Sequence, residues 1–259
     1  MPRPILVVGS LNMDFVVQVD ALPERGQTVS GRGFVMLPGG KGANQACAAG
    51  RLGGRCRMIG RVGRDVFGER LKASLADAGV DTSHVLTTEG EATGIALIPV
   101  EAAITRGRSL GMTTILDPAP ARPLSPALLG AVDILTPNES EAFVLLGLRG
   151  SAVSIDDAAV LGRRLRALGP GTVLLKLGAN GAYLSDARGG RHFPARQVEA
   201  VDATAAGDTF NGALAVALGE HADMADAVAF ANLAASISVT RLGAQASIPA
   251  RAEVDALRR

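Results

Sequence analysis

The chain has 259 residues, 47% of them hydrophobic, which suits one sizeable domain with at most a small appendage. Lys and Arg total 26 against 25 for Asp and Glu, Trp is absent, and no basic run interleaves with aromatics, so nucleic acid is not an expected partner. No apolar run approaches the ~20 residues of a membrane span, MPRPILVVGS lacks the layout of a secretory signal, and Cys47 and Cys56 are spaced for neither a redox pair nor a zinc knuckle; the expectation is a cytoplasmic protein with two reduced thiols and no membrane partner.

In chain order, Ile5-Leu6-Val7-Val8-Gly9 reads as a buried first strand. Asn12-Met13-Asp14 follows at its carboxyl end, where ligands of open α/β sheets bind. The amide and carboxylate suit the hydroxyls of a polyol, and a structural turn is the other reading. Phe15 to Val19 and Gly33 to Met36 alternate like half-exposed strands. Together with Thr93 to Val100 they are assigned to a small β lid, spanning about 12–36 and 93–100, with further core strands as the alternative. Pro38-Gly39-Gly40-Lys41-Gly42-Ala43-Asn44-Gln45-Ala46 lets backbone approach a ligand closely. It is not a Walker loop, because the spacing to Lys41 is wrong and no Ser or Thr follows. Lys41 and Asn44 offer donors to hydroxyls, or the stretch is simply a turn before a helix.

Arg57 to Gly60 reads as a strand and Phe67 to Ala78 as the helix after it. Thr113 to Asp117 and Asp133 to Thr136 are further strands. Thr136-Pro137-Asn138-Glu139-Ser140-Glu141 leaves a strand end for a helix. Glu141 there suits hydrated magnesium, which takes oxygen ligands and keeps several waters; a capped helix with an acidic first turn fits equally. Ser154 to Leu168 is a helix with Ser154 as cap, Asp157 three residues on, and apolar residues at Val160, Leu161, Leu165 and Leu168. Thr172 to Gly178 is the clearest buried strand. Strands alternating with helices predict an α/β fold, with a mostly parallel central sheet and helices on both faces. His84, His192 and His221 lack metal-ligand spacing.

VDATAAGDTFNG at 201–212 carries the chemistry. Phe210, Leu214 and Leu218 recur at i, i+4 and i+8, so a helix runs onward. Ala205-Ala206-Gly207 leave its entry bare, and free amides at a helix start suit a phosphate or a developing negative charge. Asp208 either caps this helix or takes a proton from a hydroxyl attacking the anion.

GGKGANQA at 39–46, DPAPA at 117–121, TPNESEA at 136–142, AAGDTFNGAL at 205–214 and VTRLGAQASIP at 239–249 occur in the order found in the ribokinase-like (PfkB) carbohydrate kinases, which the chain resembles from Gly9 nearly to its end. GGKGAN points to the ribokinase branch. The resemblance implies phosphoryl transfer from ATP to the primary hydroxyl of ribose, with Mg2+ and K+ as cofactors and a homodimeric assembly. It makes Asp208 the catalytic base and the backbone of Ala205, Ala206 and Gly207 the anion hole. Asn12, Asp14, Gly40, Lys41, Gly42 and Asn44 would bind the sugar. Asn138, Lys176, Leu177, Gly178, Ala179, Asn180, Gly181, Gly207 and Asn232 would face the nucleotide. Asp202, Thr204, Ser238, Arg241, Gly243 and Ser247 would hold potassium, several through carbonyls, and Glu141 would meet magnesium through water.

The resemblance breaks near 100/101. Between the expected lid strand ending at Val100 and the helix beginning at Glu101, the family has a return strand, a turn, a helix and a core strand ending in a sugar-binding glutamate. Glu101 does not take that role. Asp117 stands where the family commonly has Asn, and Ala203 where a larger residue is common. Either the gene has a true deletion or residues are missing from the sequence as determined; a true deletion would leave backbone groups of neighbouring strands unpaired, at about 1–3 kcal/mol for each buried one. The alternative functions are therefore an impaired or non-catalytic sugar- or nucleotide-binding relative, or a kinase for another pentose or a nucleoside. A dinucleotide-binding module is disfavoured, since Gly9 leads into Ser10-Leu11-Asn12 and not G-x-G-x-x-G.

Overall fold

Short aliphatic runs form several strands of this chain, and longer periodic runs form most of its main helices. The computed structural model describes residues 1–94, 100–150 and 153–258. In order the elements are β1 (Ile5–Val8), β2 (Asn12–Gln18), β3 (Arg32–Gly39), α1 (Lys41–Arg51), β4 (Cys56–Gly63), α2 (Val66–Asp77), β5 (Asp81–Thr88), α3 (Val100–Ser109), β6 (Ile115–Leu116), α4 (Pro126–Gly130), β7 (Ile134–Leu135), α5 (Glu139–Leu145), α6 (Ile155–Arg166), β8 (Thr172–Lys176), β9 (Ala182–Asp186), β10 (Gly189–Phe193), α7 (Ala206–Gly219), α8 (Met224–Ser238) and α9 (Arg251–Leu257).

Among the described residues the strands fall into three sheets. β1, β4 and β5 run parallel in the order β1-β4-β5. A second sheet has the order β10-β9-β8-β7-β6, parallel across β6, β7 and β8 and antiparallel across β8, β9 and β10. β2 and β3 form an antiparallel hairpin with a register shift between Val16 and Gln18. One core is shared by both parallel sheets, with Ile134, Leu174 and Leu184 of the second sheet packed into it, and a second core lies on the other face of the second sheet. Helices α1, α7 and α8 cover the first with small and aliphatic residues such as Ala46, Leu52, Leu214 and Val228. Helix α6 covers the second with Leu161 and Leu165. Helices α7 and α8 bury residues around most of their circumference, as expected of a helix sandwiched between other layers. No helix of the described residues is long and apolar enough to cross a membrane.

Local signals explain several boundaries. Ser154 caps α6 by accepting from the Asp157 amide, as its sequence predicts. Asp65 caps α2 through the Gly68 amide and also accepts from the Thr93 amide at 2.7 Å and the Thr93 hydroxyl at 2.5 Å. That local bonding competes with a ladder, so the lid strand expected at 93–100 does not begin at Thr93. Thr93 and Gly94 lie in a turn and Val100 opens α3, while 95–99 fall outside the described residues. Asn12 to Asp14 are strand and not turn. β6 and β7 are only two residues long each, shorter than expected.

Both cysteines are free and buried. Burial pushes the Cys47 thiol up to about 11 and the Cys56 thiol up to about 12, so both stay protonated and unreactive at neutral pH.

One close approach sets where α1 begins. A β-carbon on Gly42 would lie 2.5 Å from Gly9 Cα, so the first turn of α1 rests on the bend after β1. The Ala43 amide donates to Ser10 O there at 2.9 Å. Replacing Gly42 by Ala should therefore destabilise the fold by about 1–3 kcal/mol through overpacking against backbone that cannot give. Urea unfolding would measure it, and a variant as stable as the parent would show that this contact does not fix α1.

Candidate active site

Helix α7 opens at the carboxyl end of the strands, and its entry is unusual. Its N-cap is Ala205, with φ of 60° and no side-chain cap. The left-handed region costs a residue with a β-carbon about 1–2 kcal/mol, and such strain collects at functional sites. The Ala206 amide turns back to Ala203 O at 3.2 Å, so it is not free as the sequence suggested. The Gly207 and Asp208 amides have no acceptor among the described residues. Two open donors and the helix dipole thus face one point. Lys176 shares it: a β-carbon on Gly207 would lie 3.3 Å from its Nζ.

Asp208 does not cap the helix. It is 6% exposed and its carboxylate is gripped from α1. Asn44 Nδ2 donates to Oδ2 at 3.0 Å and Gln45 Nε2 donates to Oδ1 at 3.1 Å. Burial pushes the Asp208 carboxyl above the usual carboxylate range, and the Asp117 charge adds to the rise. The Asn44 and Gln45 amides and the Lys41 charge pull the other way. A carboxylate held only by side-chain amides keeps lone pairs free for a hydroxyl.

Gln45 Nε2 also donates to Asp117 Oδ2 at 3.0 Å, and Lys176 Nζ donates to Asp117 Oδ1 at 2.9 Å. The Lys176 and Asp117 side chains are 12% and 9% exposed, so the ion pair is largely desolvated. The result is one connected line, Asp208–Gln45–Asp117–Lys176. Sequence reasoning missed Gln45 as a site residue and assigned Asp117 no role. Their positions were the available signals: Gln45 follows Asn44 at the start of a helix, and Asp117 ends a strand.

The expected sugar side assembles next to this line. Asn12 and Asp14 on β2 pair with Gly39 and Leu37 on β3. Gly40, with φ of 93°, brings backbone against the Asn12 amide, which would lie 2.7 Å from a β-carbon there. The Asp14 carboxylate packs on Gly39, and burial raises its pKa. Asn12 Oδ1 and Asn44 Oδ1 are buried without a partner among the described residues, two acceptors suited to hydroxyl donors. A cleft of ≈ 860 Å³ reaches Lys41, Gly42, Gln45 and Asp117.

The expected nucleotide side divides. Asn138 pairs with Lys176 across an isolated bridge, beside the Asp208 cluster. Asn138 Oδ1 accepts from the Glu141 amide and Glu141 Oε2 accepts from the Asn138 amide, each at 2.8 Å. This is a reciprocal cap of α5, so Glu141 has structural work beside any role toward magnesium. Leu177 is buried and its amide donates to Gly181 O at 2.8 Å, closing a turn that exposes Gly178, Ala179 and Asn180. Gly181 packs on the 193–195 backbone, and Asn232 Nδ2 donates to Phe193 O at 2.9 Å. Asn232 thus lines a separate cavity of ≈ 330 Å³ with Phe193 and Arg196.

The expected cation side comes together in part. Asp202 Oδ1 accepts from the Thr204 amide at 2.9 Å, and Oδ2 accepts from the Gly243 amide at 2.9 Å, tying the two loops. The Thr204 hydroxyl, which donates to Oδ1 at 2.6 Å, and these amides hold the Asp202 carboxyl below its ordinary pKa. The buried Ser238 and Ser247 hydroxyls donate to Ala235 O and Ala244 O, leaving their oxygens as acceptors. The Arg241 side chain pairs with Glu253 and turns away. No group of three His, Cys, Asp or Glu able to hold a metal occurs among the described residues. One carboxylate with hydroxyl and carbonyl oxygens is a hard donor set, of the kind that suits an alkali or alkaline-earth cation.

Known proteins resemble this chain in sequence and fold. The model of the pfkB family carbohydrate kinases matches residues 3–107 and again 99–251. Ribokinase of Haemophilus influenzae is 36% identical over 301 aligned positions, covering 98% of this chain and 97% of that protein. Ribokinase of Bacillus subtilis is also 36% identical, covering 98% and 99%. Among solved structures, Arabidopsis thaliana ribokinase complexed with ribose and ATP superimposes with a TM-score of 0.88 at 29% identity, covering 99% of each chain. On a match that spans most of its length, with relatives this similar, the chain belongs to the pfkB family of carbohydrate kinases.

Proposed function

We propose that the chain is an ATP-dependent kinase that phosphorylates the primary hydroxyl of ribose to give ribose 5-phosphate. The observation that carries this reading is Asp208, buried beside two open amides at the start of α7 and gripped by Asn44 and Gln45 instead of capping. In the proposed step the Asp208 carboxylate takes the hydroxyl proton as the sugar oxygen bonds to the terminal phosphorus of ATP. The bond from that phosphorus to the bridging oxygen breaks and ADP leaves. Such transfer needs chiefly positioning and charge stabilisation. The Gly207 and Asp208 amides and Lys176 face the developing negative charge. Asn12, Asp14 and Asn44 supply partners for the sugar hydroxyls, and Asn138 lies on the nucleotide side.

Magnesium, when bound, would offset the negative charge of the phosphates. One Glu141 oxygen remains for its waters after the cap. Potassium would fit the oxygens around Asp202, Thr204, Ser238 and Ser247, with Arg241 and Gly243 contributing carbonyls. The hairpin β2–β3 is read as a lid over the sugar. Its exposed Phe15 and Phe34, at 58% and 61%, support a homodimer formed through it. The buried reduced thiols fit a cytoplasmic location. An impaired relative is the competing reading, favoured by the cleft left open between β1 and β6. Ribose-dependent ADP release separates the two, and a panel of pentoses and nucleosides fixes the acceptor.

Asp208→Asn should bind ribose yet lose about 10²–10⁴-fold in kcat; unchanged kcat would remove the base assignment. Because only the ionised carboxylate accepts a proton, and its pKa is raised, kcat/KM should fall as pH drops through a value above the ordinary ~3.9. Asp117→Asn removes a neighbouring negative charge, so this acid limb should move to lower pH; a limb that stays or rises means that another group titrates. Potassium should support faster turnover than sodium or a bulky organic cation, and Asp202→Ala should erase the difference. Equal rates of the parent enzyme in all three would exclude a specific cation site.

A further inference from the structure

We infer that the cleft between β1 and β6 is an acceptor slot for one parallel β-strand, supplied by a second polypeptide that carries the segment this chain lacks. The slot lies beyond the reaction assigned above and stands on backbone geometry.

On β1, the Ile5 amide donates to Arg55 O at 2.9 Å and the Gly9 amide to Ile59 O at 3.3 Å, so alternate residues face β4. The peptide groups of Leu6 and Val8 therefore face the other way, where no strand lies among the described residues. On β6, Thr114 O and Leu116 O accept from the Ile134 and Thr136 amides, each at 3.0 Å. Ile115 therefore turns its peptide groups away from β7. The edges of both parallel sheets open onto the same cleft of ≈ 860 Å³, lined by Leu6, Val8, Ile115 and Leu116.

The covering layer shows the same deficit. Helix α3 contributes Val100 and Ile104 to the cleft, yet buries none of its residues. Leu6, in a strand expected to be covered on both faces, is 41% exposed. Edges like these are templates for strand addition.

The relatives indicate the occupant. The Haemophilus influenzae ribokinase aligns over 301 positions and this chain has 259 residues, so at least 42 of those positions (301 less 259) have no residue here. The family model breaks into two overlapping matches at 99–107, the stretch that forms α3 along this cleft. A strand covered on both faces and paired at both edges reads as a continuous aliphatic run, which defines the partner's chemistry.

The probe is a synthetic peptide of the Haemophilus influenzae ribokinase segment that has no counterpart here, added to the intact chain. Saturable one-to-one binding by calorimetry is expected, with exchange of the Leu6, Val8 and Ile115 amides slowed roughly tenfold or more. A peptide with proline in its aliphatic run lacks the ladder donors and should not bind. Equal binding of a scrambled or proline-bearing peptide, no binding at all, or amides already protected in the chain alone would overturn the slot. These readouts need no turnover, so failure of the kinase reading would show separately, as absent ADP release with the peptide bound.

Discussion

A carboxylate removed from water must be held by donors, and Asp208 takes both of its own from one turn of one helix. The rest of the site follows from that requirement. Asn44 and Gln45 reach α7 only because α1 starts where it does, and α1 starts there because Gly42 lies against Gly9. Burial is costly to a charged group, yet here it leaves the Asp208 carboxylate poorly solvated and its lone pairs available. The strained entry of α7 at Ala205 works in the same direction, since it turns free amides toward the place where charge would develop. Stability is given up at these positions for geometry.

The chain's own pattern made the α/β character, α6 with its Ser154 cap, and β8 readable before any coordinates. It failed where an outcome depends on groups distant in sequence. Asp208 looked as much like a cap as a base, because the amides that decide between them come from 163 and 164 positions away. Gln45 was invisible as a bridge for the same reason, and Asp117 became meaningful only beside Lys176. The expected strand at 93–100 lost its start to Asp65, whose carboxylate satisfies Thr93 within a turn. Strands β5, β9 and β10 carry polar or glycine-rich stretches such as DTSHVLTT and GGRHF, which give little periodicity to read.

The two parallel sheets also divide the labour of the site. β1 and the bend after it set Asn12, Asp14 and α1, while the ends of β6, β7 and β8 set Asp117, Asn138 and Lys176. Within the site, Gln45 links the halves through its paired bonds to Asp208 and Asp117. A desolvated pair such as Lys176–Asp117 adds little net stability but is costly to break. It therefore serves to fix the second half in one arrangement.

The contact of Gly40 with the Asn12 backbone, and of Gly42 with Gly9, has a mechanical consequence. With no side chains between them to absorb a shift, the hairpin and the first turn of α1 behave as a single lever. A swing of β2 and β3 would therefore be passed to the two amides that grip Asp208, and the carboxylate would be re-aimed by the same movement.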